Sequence, residues 1–190
     1  MNKTIIINNQ KDYNKLLRRI KYYKYYPFTK FIIKNNINNP NITIISNYLN
    51  IKNRTKKIKY IYKEAIKYIN NYYTQDLCQF KNNQCFIQRR NKSNKRFGCC
   101  QDCKLVKENL GCTTNNFSCK LVYCKPAIKN ITLLKIKDID ILRCYSLIQR
   151  FILRFDFFST EEQIINDLKY GIPWLFRSFF KGIKIAFKVK

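Results

Sequence analysis

Histidine is absent from the chain. Histidine-based catalytic triads and histidine-ligated catalytic zinc are therefore excluded, because both depend on an imidazole. Glycine occurs four times, too scattered to form a glycine-rich loop around phosphates. Acidic side chains number 11 against 38 basic ones. No apolar run approaches the ~18 residues that span a bilayer. The first ten residues lack the form of a signal peptide, since Ile5 to Ile7 are followed at once by Asn8, Asn9, Gln10 and Lys11. The expected compartment is a reducing cytosol, where clustered cysteines are metal ligands more often than disulfides. No reaction is legible, and no residue is assigned a catalytic role.

What the chain has in excess is positive charge and cysteine. The formal charge is +27, with 16 basic and 2 acidic residues in the first seventy. A chain this basic repels itself, and a polyanion relieves that. Nucleic acid is the expected partner, with DNA favoured over RNA; an anionic membrane surface is the second candidate. The bland reading is compositional: Lys, Asn, Ile, Tyr and Phe abound together, as in an AT-rich genome. Hydrophobic residues make up 46%, enough to bury a core.

Eight of the nine cysteines lie in residues 78–124: Cys78, Cys85, Cys99, Cys100, Cys103, Cys112, Cys119 and Cys124. Zinc takes four tetrahedral ligands, and thiolates supply them well. Cys100 and Cys103 have the two-residue spacing of a knuckle, and Cys119 and Cys124 the four-residue spacing at its long end. Gly98 and Gly111 each precede a cysteine and mark turns. Eight thiolates suffice for two zinc ions; one four-cysteine site with spare thiols is the other arrangement. The leading ligands are Cys100, Cys103, Cys119 and Cys124, then Cys112. An iron–sulfur cluster is the rival metal, though the usual ferredoxin spacings are missing. A basic loop carries Arg89, Arg90, Lys95 and Arg96, interleaved with Phe86 and Phe97, a pattern suited to phosphates and bases. Over residues 98–124 the pattern CC-x2-C, then Gly-Cys, then Cys-Lys-x3-Cys is similar to a signature of small bacterial cysteine-rich proteins of unassigned function. That resemblance implies no activity.

The four prolines punctuate a mainly helical pattern. Residues 12–25 read as a helix, and 28–33 as β-like. A short helix at 43–49, a turn at 50–52 and a longer helix at 53–72 follow. In the longer helix Ile58, Ile61, Tyr62, Ala65 and Ile69 share one face; Lys52, Lys56, Lys59, Lys63 and Lys67 line nearly the opposite one. The string from Ile42 to Ile61 resembles a helix-turn-helix DNA-binding unit, with Asn50 where that family usually has a left-handed glycine. The resemblance implies that Arg54, Thr55 and Lys56 face base edges while Lys52, Lys59 and Lys63 meet phosphates. The plain alternative is a solvated lysine face.

Residues 138–155 read as one helix with a core seam of Ile141, Tyr145, Ile148, Ile152 and Phe155. Asp138 and Asp140 suit its start, and Cys144 fits a core or boundary position. Ser159 and Glu162 form a capping box opening a helix to residue 170. The tail from residue 171 has an apolar helical face expected to dock on the core.

The resulting expectation is a mainly α protein with a small, irregular cysteine-rich metal module in which a β-hairpin is an option. Its regions are a basic helical region (1–75), the module (76–126) and a C-terminal helical region (127–190). The leading function is a zinc-binding, nucleic-acid-binding protein, with DNA-binding regulation as its form. The alternatives are a structural or protein-interaction zinc module, and an iron–sulfur or thiol redox protein.

Overall fold

Two parallel strands, β1 (Asn2–Ile7) and β2 (Lys30–Asn35), pair in register from Asn2 opposite Lys30 to Ile7 opposite Asn35. The computed structural model describes residues 1–26, 28–73, 81–82, 84, 89–90, 92, 106–107, 111–112, 116–121, 132–157, 159–172 and 174–175. Parallel strands need a crossover connection, and α1 (Gln10–Arg19) supplies it. Asn9 caps α1 by accepting from the Asp12 N–H at 3.0 Å, and Arg18 and Arg19 sit favourably at its carboxyl end. The segment expected to be one helix tightens after Arg19 into a 3-10 stretch, Ile20–Tyr25. Its β-branched and aromatic residues are poor helix formers.

Two helices follow, α2 (Pro40–Asn50) and α3 (Arg54–Tyr72). Asn39 and Asn53 cap them, accepting from the Asn41 and Lys56 N–H groups at 3.0 Å each. A minimal antiparallel pair, β3 (Val106–Lys107) and β4 (Gly111–Cys112), lies in the cysteine-rich segment. After α4 (Phe117–Leu121) come 3-10 turns at Ile136–Asp138 and Asp140–Cys144, then α5 (Leu147–Phe155) and α6 (Glu161–Tyr170). The fold is mainly α, as the periodicities imply. Among the described residues no helix is long and apolar enough to cross a membrane.

One hydrophobic core draws on both ends of the chain, from Ile7 to Trp174. The expected N-terminal and C-terminal helical regions share it. Buried tyrosines are among its polar side chains, and three of their hydroxyls have partners that satisfy the phenol. Tyr13 donates to Asp140 Oδ2 at 2.7 Å, Tyr145 donates to the Ile58 carbonyl at 2.8 Å, and Tyr62 accepts from the Phe117 N–H at 3.2 Å. Three tyrosines thus tie α1, α3 and α4 to segments distant in sequence.

The single helix expected over 138–155 is instead three pieces. Ser146 and Gln149 form a capping box that starts a new helix, and the restart shifts its phase. Ile141, Tyr145 and Ile152 are buried as expected. Ile148 and Phe155 are 70% and 44% exposed, and Leu153 takes the inward position. Asp140 does not cap a helix of that length; it accepts from Tyr13 and Asn41 and pairs with Arg143 at 3.8 Å. The α6 cap lies one residue later than expected, at Thr160 with Gln163. Ser159 is buried and donates to the Asp156 carboxylate. Of the C-terminal tail, residues 176–190 lie outside the described residues.

Candidate nucleic-acid interface

The interface is built on α3. Its buried side, Ile58, Ile61, Tyr62, Ala65, Ile66 and Ile69, is sealed in the core, so its opposite side is fixed towards solvent. Lys56, Lys59, Lys63 and Lys67 are all exposed there, with exposed Lys52 just before the helix. At 3.6 residues per turn the four helical lysines fall within an arc of roughly 80°, and at 1.5 Å per residue they run for ~16 Å. Among the described residues none of the five pairs with a carboxylate.

The entry to α3 departs from the expected turn. Asn50 is the last residue of α2, and residues 51 and 53 are extended, at φ −73°, ψ 120° and φ −73°, ψ 124°. No left-handed residue closes this connection. Asn50 serves a different purpose. Its Oδ1 accepts from the Phe31 N–H at 3.0 Å, while its Nδ2 donates to the Phe31 carbonyl at 2.9 Å and to Ser46 at 3.1 Å. The α2–α3 corner is thereby stitched to β2.

The two ends of the proposed base-reading set are differently placed. Arg54 donates from Nη2 to the Lys169 carbonyl at 3.1 Å, across to the carboxyl end of α6, where a cation is favoured. Thr55 is half-buried and Lys56 exposed. In the basic loop Arg89 is half-buried and donates to the Gln84 carbonyl at 3.0 Å, and Arg90 is exposed. Lys95 and Arg96 lie outside the described residues, as do Phe86 and Phe97.

A cleft of about 840 Å³ opens beside the first turns of α3. Its walls are the 25–30 segment, the α2–α3 corner, the start of α5 and the end of α6. Five cations line it: Lys30, Lys52, Arg54, Lys57 and Lys169. No carboxylate is found among its described lining residues. Lys57 is half-buried over the Tyr48 ring, 5.1 Å from its centroid, and burial pulls its pKa below the ordinary lysine value. Cys144 forms part of the same wall, and burial pushes its thiol pKa well up, so it rests there as a neutral thiol. At the rim Phe28 is 88%, Tyr170 59% and Tyr26 48% exposed. Lys3 holds the Tyr26 ring at 5.0 Å, and Lys169 lies 4.6 Å from the Tyr170 centroid. The hydrogen bond and charge of Lys169 draw the Tyr170 pKa down.

Sequence reading missed this cleft, because its walls come from four separated stretches. One local signal was present: the alternation of lysine with tyrosine and phenylalanine through residues 21–31 is the basic–aromatic pattern of strand-binding surfaces.

Of the cysteine ligands, Cys78, Cys85, Cys99, Cys100, Cys103 and Cys124 lie outside the described residues. Cys112 is described by its backbone alone, in the β3–β4 pair. Cys119 is half-buried on α4, its N–H donating to Asn116 Oδ1 at 2.9 Å. Asn116 is buried and also donates to the Asp156 and Ser159 carbonyls at 2.7 and 3.1 Å, so this end of the cysteine-rich segment is stapled to the core. Among the described residues no three cysteine or acidic side chains are grouped to hold a metal. Comparison of the chain with protein families, with curated proteins and with solved structures finds no match in any of the three.

Proposed function

We propose that this chain binds nucleic acid, DNA in preference to RNA, along the lysine face of α3, and that residues 78–124 form a structural zinc module holding one or two ions. The observation that carries the first part is the exposed line of Lys56, Lys59, Lys63 and Lys67 on a helix whose other side is locked in the core, with exposed Lys52 just before it. A rigid row of cations neutralises successive phosphates without first being ordered, and releases condensed counterions. Arg54 is already engaged at the end of α6. The face therefore suits backbone contact, which positions a protein on nucleic acid, more than base reading. The zinc reading rests on the density of thiols within 47 residues. It is supported by the antiparallel pairing of Cys112 with Val106 in the β3–β4 pair and by the staple beside Cys119, both of which suit a module fixed as a unit. A reducing cytosol is the setting in which such thiols stay available to metal.

Binding to duplex DNA across a salt series tests the first part. The triple variant Lys56→Gln/Lys59→Gln/Lys63→Gln binds more weakly and with a shallower salt dependence; unchanged binding would remove α3 from the interface. Metal analysis of anaerobically purified protein tests the second. Zinc is expected, and bound iron with visible absorption would replace the zinc reading with an iron–sulfur one.

A further inference from the structure

We infer that the cleft beside α3 is a binding site for unpaired nucleotides, so that the protein prefers nucleic acid with a single-stranded stretch next to a duplex; this rests on the nucleic-acid reading of α3. The cleft volume of about 840 Å³ falls within the range of small-molecule sites, ~300–1,000 Å³. Its chemistry matches a nucleotide on both counts. Phosphates meet Lys30, Lys52, Lys57 and Lys169, with no carboxylate among the described lining residues to compete. Bases meet exposed rings at the rim, Tyr26, Phe28 and Tyr170.

Three further features point to an anionic aromatic ligand. Phe28 projects almost wholly into solvent, an unfavourable position for a phenyl ring that a stacked base would relieve. Lys57 is half-buried with no acidic partner among the described residues, a desolvation that a phosphate would offset. Lys52 connects the two surfaces: it lines the cleft and stands exposed two residues before α3, the helix that carries the lysine row. A strand following the row from Lys67 to Lys52 is led to the mouth of the cleft. A paired base hides its faces in the duplex stack, so only an unpaired one can lie on the rim rings.

The test compares a blunt DNA duplex with the same duplex carrying a short oligothymidylate overhang, by fluorescence anisotropy. The overhang substrate is expected to bind about tenfold tighter, the scale of one or two stacked bases. The variant Phe28→Ala/Tyr170→Ala is expected to abolish that preference while leaving blunt-duplex affinity unchanged. Both side chains are exposed, so the variant should keep the wild-type circular dichroism. Equal affinity for the two substrates overturns the cleft assignment and leaves α3 standing. A preference that survives in the variant overturns it as well. Binding to neither substrate overturns both readings together.

Discussion

Asn50 and Phe31, nineteen residues apart, are joined as though by a strand pairing: one side-chain amide accepts from the Phe31 N–H at 3.0 Å and donates to its carbonyl at 2.9 Å. Phe31 is buried, and this one amide satisfies both its N–H and its carbonyl. This bond sets where the α2–α3 corner, and with it the lysine row, stands relative to β2. Were Asn50 a left-handed turn residue, Asn50→Gly would be neutral or stabilising. The observed geometry predicts the opposite. Both Asn50→Gly and Asn50→Ala should lower unfolding stability by about 2 kcal/mol, the cost of two lost bonds to a buried group. Urea denaturation measures this, and a neutral Gly variant would contradict the pairing.

Asn116 makes a comparable connection at the other end of the core. Its side chain bridges the carbonyls of Asp156 and Ser159 to the N–H of Cys119, wholly out of solvent. Asn116→Leu is expected to cost about 3 kcal/mol, since it leaves buried donors and acceptors unsatisfied. Asn116→Asp keeps the acceptor for Cys119 but loses both donors and adds a buried charge, so it should be no milder. An aspartate variant with wild-type stability would show that the two carbonyls are not what the amide holds.

What the sequence revealed and what it hid divide along physical lines. The α2 and α3 helices, and the two faces of α3, were legible because the helical period of α3 holds over many residues. The parallel pairing of β1 was hidden, since residues 5–7 are too short an apolar run to distinguish a strand from a buried turn. The break at Ser146 was hidden for a different reason. The apolar spacing through 141–155 suits one helix, but a capping box inside it stabilises a restart, and Ile148 and Phe155 turn outward. The cleft could not be read at all as a site, because its cations at 30, 52, 57 and 169 meet only in the folded chain.

Removing charge from the lysine row should appear in salt dependence before affinity at any one condition. Each phosphate contact contributes roughly 0.9 to the slope of log affinity against log salt for duplex DNA. The variant Lys56→Gln/Lys59→Gln/Lys63→Gln should lower that slope by about 2 to 3. All three side chains are exposed and outside the core, so thermal stability should change little. Lys67→Gln should lower the slope by about 1 more. A slope that does not move would place the phosphates on another part of the surface.

Metal removal should act locally. Apart from Phe117, the described buried apolar side chains of the core lie within residues 7–69 and 134–174, outside the cysteine-rich segment. Chelation of zinc from residues 78–124 should therefore leave most of the helical circular dichroism in place, while making the cysteine thiols reactive to alkylation. Thiol counting before and after chelation checks this. Eight newly reactive thiols fit two ions, about four fit one, and none would argue against a thiolate-bound metal. Complete loss of helical signal would instead mean that the module nucleates the core.

Alkali should unfold this protein through its tyrosines. Tyr13, Tyr48, Tyr62 and Tyr145 all have pKa values raised above the ordinary phenol, chiefly by burial; the Asp140 hydrogen bond adds to the rise at Tyr13. Below about pH 10 the folded and unfolded chains both keep these protons. Above it the unfolded chain releases phenolic protons that the folded chain retains, so ionisation favours unfolding and stability falls as pH rises. Cys144, also raised by burial, begins the same trend slightly lower, because an unfolded thiol titrates near ~8.5. Lys57 works the other way. Its depressed pKa means the unfolded chain binds the extra proton just below ~10.4, so its contribution grows with pH there. One half-buried lysine does not balance four buried phenols. The urea midpoint should therefore hold through neutral pH and fall steeply beyond about pH 10. Tyr145→Phe removes the hydroxyl that bonds the Ile58 carbonyl and should cost about 1 kcal/mol at neutral pH. The same substitution removes one of the titrating groups and should make the alkaline fall less steep. A midpoint unchanged between about pH 8 and 11 would show that these phenols titrate alike in both states, and are not buried.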